Sequence, residues 1–327
     1  MVLEALAGRI SRVALCAALA LGAAAVCAQE YPTKPIRLIV ATSVGGGPDL
    51  IARSMTPVMA AMLGQPFTVD NIPGAGGVVG VRTLIKSAPD GYTLLFTDNG
   101  KWAIAPALQP SVYDPVKELA PIGLAVANVT AIVVNESFPA KNINEFIAAV
   151  KAKPGYYHYG SSGNGSLHHI AMEAFKAAHG LDMIHVPFKG AAQSTQALMG
   201  GQIAAIIAGP AALQSQFKSG QARMLAVTSK RRSKHFPDVP SMAEPGNTDL
   251  DFRGDLGYLA PAGTPKPIID RIAGVVAKAM SLPEVISRVE SIGSEAMVTG
   301  PEELAQIIKA DVVRYTRAVK LIGIKVD

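Results

Sequence analysis

From Pro35 onward, short apolar runs alternate with longer stretches in which apolar residues recur every three or four positions. The first kind reads as buried strand and the second as amphipathic helix. Residues 36–41 predict a buried strand, followed by a glycine-rich turn and a helix over residues 48–63. Pro48 suits the first helical turn, where its missing N–H costs nothing, and Asp49 complements the positive end of the helix dipole. Residues 67–69 read as a short strand, 72–77 as a loop before another helix, and 93–97 as a strand after the Asp90-Gly91 turn. This βαβαβ order predicts a mostly parallel sheet covered by helices.

A second block of the same kind starts near Ala125. Residues 131–134 read as a strand, and Asn142 as the cap of a helix reaching residue 153. A strand at 158–161 leads through Gly163-Asn164-Gly165-Ser166 into a helix ending near residue 178. Residues 184–186, 203–208 and 224–227 read as further strands separated by helices. Beyond Pro245-Gly246 the chain passes through 256–259 to a proline-rich turn at 261–267, then helices over 267–281, 283–292 and 301–319. This last section has too few strands for an independent domain and is expected to return to the first sheet. The expected α/β architecture is therefore two lobes, 29–128 with 251–327 and 129–250, crossed at least twice by the chain.

The first 28 residues stand apart. Arg9 and Arg12 precede an apolar run, residues 13–26, that ends in Val26-Cys27-Ala28 before Gln29. A basic start, a short apolar centre and small residues before the cut describe a secretory signal peptide, cleaved after Ala28. The run is too short for a comfortable transmembrane span. Cys27 as a lipid anchor is the alternative, although Val26 is bulky where a small residue is wanted. Both cysteines, Cys16 and Cys27, fall in this leader. The expected mature protein is periplasmic, soluble and held together by packing without disulfides.

Composition narrows the function. Hydrophobic residues make up 49% and charged residues 17%, which excludes a disordered chain. The net charge is +5 with a single tryptophan, and the densest basic cluster is only Lys230, Arg231, Arg232 and Lys234. That distribution argues against a nucleic-acid groove.

The candidate chemistry lies in two glycine-rich loops that each follow a predicted strand and open a predicted helix. They are Ser43-Val44-Gly45-Gly46-Gly47-Pro48-Asp49 and Ser161-Ser162-Gly163-Asn164-Gly165-Ser166. At such junctions the free N–H groups of the first helical turn point outward, and glycine lets a ligand approach the backbone. One loop per lobe is the arrangement needed to clamp a small anion. Thr97 and Asn99, at the end of the third strand, complete the candidates in the first lobe. No G-x-x-x-x-G-K-[ST] is present, and Gly74-Ala75-Gly76-Gly77-Val78-Val79-Gly80 misses the dinucleotide fingerprint by one residue.

All six histidines lie between His158 and His235. His168 and His169 are adjacent in a helix, so only one can face the cleft. Without an H-E-x-x-H pattern or thiols outside the leader, no metal site and no cofactor is expected. Lys189, after Phe188, either neutralises a second carboxylate or is simply solvated. Trp102 either stacks on a ring-bearing ligand or packs between the lobes. A secreted hydrolase using Ser161 or Ser162 with His168 is the enzymatic alternative; it lacks an identifiable acid partner, and Asn164 stands where a nucleophile elbow needs glycine.

At these loops the chain resembles a known family, the Bug or TctC-like extracytoplasmic solute receptors of tripartite tricarboxylate transporters. The resemblance is carried by Gly45-Gly46-Gly47-Pro48-Asp49, Asn71-Ile72-Pro73-Gly74-Ala75-Gly76-Gly77 and Ala88-Pro89-Asp90-Gly91-Tyr92-Thr93. It continues in Gly163-Asn164-Gly165-Ser166-Leu167-His168, Val186-Pro187-Phe188-Lys189-Gly190 and Ala260-Pro261-Ala262-Gly263-Thr264-Pro265. The resemblance implies a type II-like Venus flytrap, a periplasmic-binding-protein fold that closes on a small carboxylate and delivers it to a membrane permease. It also implies a non-enzymatic monomer, or a receptor feeding a signalling partner. Carried over by position, the contacts are Ser43, Gly46, Gly47 and Asp49 in the first lobe and Ser161, Asn164, Gly165 and Ser166 in the second. Three departures bear on the ligand, the first being Leu256-Gly257-Tyr258 where a tryptophan often precedes Ala260-Pro261. Pro48 replaces the usual threonine, and Gly209-Pro210 stands where an acidic residue often follows the strand, which favours a plain organic acid over an ammonium-bearing one. With Trp102 and Tyr258 present, an aromatic diacid and an aliphatic one are both open.

Overall fold

The computed structural model describes residues 31–323, apart from 46, 247, 292 and 293. The expected leader, with Cys16 and Cys27, and the candidate Gly46 lie outside the described residues. Two mixed β-sheets with helices on their faces make up the rest.

The first sheet begins with β1 (Ile36–Val40), four buried apolar residues interrupted only by half-buried Arg37. Such a run needs neighbours on either side, and β1 pairs in parallel with β2 (Phe67–Asn71) and β3 (Thr93–Asp98). The sheet then continues with antiparallel partners. β10 (Gly254–Pro261) lies between β3 and β4 (Leu119–Asn128), and β11 (Ser294–Ala296) closes the far edge. The second sheet has the order β7 (Ile184–Pro187), β6 (His158–Ser161), β8 (Ala205–Ala208), β5 (Ala131–Asn135), β9 (Ala222–Val227). Here β6 pairs in parallel with β7 and β8, while β5 runs antiparallel to β8 and β9.

The expectation of mostly parallel sheets is corrected by these pairings. The parallel pairs are confined to the βαβ segments. Every antiparallel pair includes a strand that adjoins one of the two crossings: β4 runs through Val129-Thr130 into β5, and the chain returns from β9 to β10. From Gly254 onward the chain stays with the first sheet: β10 and β11 join it, and the helices Lys266–Met280 and Pro301–Ile322 pack on β4.

Helix ends follow local chemistry. Asn142 accepts the Glu145 N–H at 2.9 Å while the Glu145 carboxylate takes the Lys141 N–H at 2.7 Å, a reciprocal cap. Ser166 caps the helix Leu167–His179 through the His169 N–H. One apolar core runs through both sheets and includes Ile39, Leu124, Ile132, Phe146, Phe252 and Tyr315. Trp102 belongs to it: the indole is fully buried and its N–H donates to Asp311 Oδ2 at 3.0 Å. Tyr258 is equally buried, against Phe96 and Met55.

Candidate functional site

A cleft of about 590 Å³ opens where the connections of the two sheets face each other. That volume suits a small organic ligand. Its first wall comes from the segments that follow β1, β2 and β3: Pro48, Ala75, Gly76, Asp98, Asn99 and Lys101, backed by Ile104, Leu108 and Val112. The opposite wall is Asn164 to His168. Asn128 and Thr130 from one crossing and Gly254 from the other complete the lining. A depression of similar size on the outer face of the last helix draws on that helix alone, including Val313 and Leu321, and converges no polar groups from separate elements.

The first glycine loop is held from within by Asp49. Its carboxylate is 1% exposed and accepts from the Gly45 N–H at 2.8 Å, Arg53 Nε at 2.9 Å and Asn71 Nδ2 at 3.0 Å. Burial pushes its pKa up, but these three bonds outweigh burial and leave it below the ordinary carboxylate value. Asp49 thus fastens β1, β2 and the helix Gly47–Leu63 together. Ser43, Val44, Gly45 and Gly47 are exposed and lie outside the cleft lining, so Pro48 is the only residue of this segment in it among those described.

The neighbouring loop comes closer. Gly74, Ala75, Gly76 and Gly77 all have positive φ, from 45° to 121°. At Gly77 a Cβ would lie 2.6 Å from the Lys101 side chain and 2.9 Å from the Ala41 carbonyl, so only glycine fits. Ala75, at φ 45°, is the one non-glycine residue in this region of backbone space among the described residues, and it lines the cleft. In the sequence this segment reads only as a connecting loop, and its near-match to a dinucleotide fingerprint is the one local sign that sets it apart.

At the end of β3, the Asp98 carboxylate accepts the Gly100 N–H at 2.9 Å and Lys101 Nζ at 2.7 Å. The ammonium can donate three hydrogen bonds and makes only this one among the described residues, so it is the cation available to a ligand. Asn99 lines the cleft and donates through Nδ2 to the Arg253 carbonyl at 2.6 Å and to Tyr315 Oη at 3.1 Å. Thr97 is buried below, and its hydroxyl has no partner among the described residues. Lys101, Asn128 and Thr130 were not anticipated, because nothing in the local pattern shows which side chains at a crossing face inward.

In the second wall, Ser161 is fully buried and turned away from the cleft; its hydroxyl meets His185 Nε2 at 2.7 Å and the Gly163 backbone. Ser162 Oγ lies 3.1 Å from His168 Nδ1. His168 faces the cleft and His169 does not. Burial pushes the His168 pKa down to about 4, so the ring is a neutral hydrogen-bonding group near pH 7. Asn164, Gly165 and Ser166 line the cleft. Phe188 is half-buried with its N–H on the Ser161 carbonyl, and Lys189 is exposed beyond it; neither is in the lining.

Hydrolysis by the Ser162–His168 pair would need a carboxylate on the imidazole. Among the described residues none is hydrogen-bonded to His168 or His185. No group of three or more candidate metal ligands converges, and no helix is long and apolar enough to cross a membrane, again among the described residues. Trp102 and Tyr258 are sealed in the core, so the expectation that either could stack on a ligand is withdrawn. His168 carries the only aromatic ring in the described lining.

Two α/β units, two crossings between them and a cleft of mixed polar and apolar lining, walled by facing glycine-rich turns, define a two-lobed protein of the periplasmic-binding-protein fold. The family model "Tripartite tricarboxylate transporter family receptor" matches residues 51–324, and the chain belongs to that family. It is 32% identical over 305 residues to BugT of Bordetella pertussis, covering 93% of this chain and 94% of BugT. Among solved structures it resembles a protein of R. palustris with adipate, at 27% identity and a TM-score of 0.75, covering 90% of this chain and 99% of that one. MatC of Rhodopseudomonas palustris with bound malate is 28% identical with a TM-score of 0.72, covering 88% of this chain and all of MatC.

Proposed function

We propose that this receptor captures a small aliphatic dicarboxylate between its two lobes and delivers it to a tripartite-type membrane permease. The lobes are taken as 29–128 with 251–327 and 129–250, and residues 1–28 as the export leader of a periplasmic protein. The observation that carries the reading is the cleft itself. Backbone turns at Ala75-Gly76 and Asn164-Gly165 oppose each other, Lys101 supplies a cation, and no Phe, Tyr or Trp is among the described lining residues. Apolar Ile104, Leu108 and Val112 suit a methylene chain better than a stacked ring. Adipate and malate, named with the two structural relatives, are ligands of this kind.

Each charge-assisted hydrogen bond contributes roughly 1.5–3 kcal/mol. Four such bonds give roughly 6–12 kcal/mol gross, whereas micromolar affinity needs about 8 kcal/mol after ordering costs. Lobe closure that excludes water is therefore part of the mechanism: a ligand touching both walls favours the closed form.

A thermal-shift screen of the mature chain against linear diacids, malate, adipate, monocarboxylates and aromatic diacids tests this. Aliphatic diacids should raise the melting temperature and reduce the radius of gyration in small-angle scattering, with aromatic diacids weaker. If no acid in the panel produces either change, the reading fails.

A further inference from the structure

Behind the second wall lies a polar cluster that the ligand reading does not use. The His169 and His185 rings stack at 3.8 Å and 10°, and His185 stacks in turn on Tyr159. The Gly165 N–H donates to His169 Nδ1 at 3.1 Å, which requires a bare Nδ1 and hence the Nε2–H tautomer. Gly165 lines the cleft at φ 71°, with Leu108 of the opposite wall pressed against its other side.

We propose that neutral His169 is a positioning residue for ligand capture: its Nδ1 holds the Gly165 amide, and protonation releases the turn and weakens binding. The proposal deepens the carboxylate-capture reading and rests on it for the affinity effect alone. A proton on Nδ1 would set N–H against N–H. Among the described residues no carboxylate is hydrogen-bonded to the ring: Glu173, whose charge favours the protonated form, already accepts from Tyr159 Oη and Lys176 Nζ, both at 2.5 Å. The titratable groups around the ring are His185 on β7, Tyr159 on β6, and Glu173 and Lys176 on its own helix. Burial, with Lys176, holds the His169 pKa below the ordinary histidine value against the pull of Glu173. The stacked His185 ring is likewise depressed, to about 4, by burial and by His169.

The test uses isotope-labelled mature protein without ligand, titrated from about pH 7.5 to about 4.5 by NMR. The Gly165 amide proton should lose its hydrogen-bonded shift in step with protonation of His169, below the pH of an exposed imidazole. His169→Asn, which keeps an acceptor where Nδ1 stands, should hold the amide and show no such step. His169→Leu should show the released amide at every pH. Adipate affinity should then be within about threefold of wild type in His169→Asn and roughly tenfold weaker in His169→Leu. A Gly165 amide that ignores both the titration and His169→Leu overturns the proposal, and should His169→Leu fail to fold, the wild-type and His169→Asn titrations decide it. If the amide behaves as expected but neither adipate nor malate binds wild type, the ligand reading fails and the His169–Gly165 contact stands.

Discussion

Gly165→Ala separates backbone strain from lobe closure. The first cost is local: at φ 71° an alanine is in left-handed backbone space, worth roughly 1–2 kcal/mol whether or not ligand is bound. The second arises across the cleft. An added Cβ would lie 2.8 Å from Leu108 Cδ1, the end of a side chain on the opposite wall, so Leu108 must rotate or the walls must part. Overpacking of this size costs about 1–3 kcal/mol, and the flexible leucine end places it low in that range. The melting temperature of unliganded Gly165→Ala should fall modestly, and its affinity for the best diacid should drop about tenfold or more. Adding Leu108→Ala should recover most of the affinity but none of the local strain. Calorimetric titration of the four proteins in this cycle gives a coupling energy of about 1–2 kcal/mol if the two walls meet in the bound form. Losses that simply add, to within about 0.5 kcal/mol, would show that Gly165 and Leu108 are not opposed there.

Other perturbations read other parts of the account. Asp49→Ala strips an acceptor from Gly45, Arg53 and Asn71 and should cost about 2–4 kcal/mol, a melting drop of about 3–7 °C for a chain of this length. Because the folded-state pKa of Asp49 is depressed, its stabilisation is complete above the unfolded value near 3.8, so the gap to wild type should persist at neutral pH and close only in stronger acid. The sole tryptophan is buried outside the cleft, so its emission should be blue-shifted, poorly quenched by iodide and nearly unchanged by ligand; strong quenching by a bound diacid would contradict this placement. His168 and His185 both stay neutral when folded, down to about 4, while an unfolded chain protonates near 6.5. Stability should therefore fall as pH drops from 6.5 toward 4, and His185→Gln should flatten that slope in a urea-unfolding series.

Where the sequence spoke clearly, periodicity and caps were local. The run at β1, the Asn142 cap and the strand–turn–helix around Ser161 to Ser166 could all be read from neighbours within a few residues. What escaped notice depended on distant partners. β4 is a ten-residue strand interrupted by Pro121 and Gly123 and buried for most of its length, so it shows no alternation; its pairing with β10 joins residues more than 120 positions apart. Trp102 looked like a possible ligand platform until Asp311, 209 residues later, took its N–H. The family resemblance makes Asp49 a ligand contact, while a helix N-terminus suits an acid for structural reasons alone. The structure shows that same preference met inside the loop, with Gly45, Arg53 and Asn71 as its partners. Two adjacent histidines could not be assigned by position alone, and the two now have different tasks, His168 toward the cleft and His169 toward the turn behind it.

The central claim is that one small acid touches both walls at once. Amide hydrogen exchange of the mature protein, with and without the diacid that gives the largest thermal shift, addresses it directly. The account predicts slowed exchange in two separate segments together, around Ala75 to Val78 and around Asn164 to His168. Protection confined to one wall, or located away from both, would contradict it.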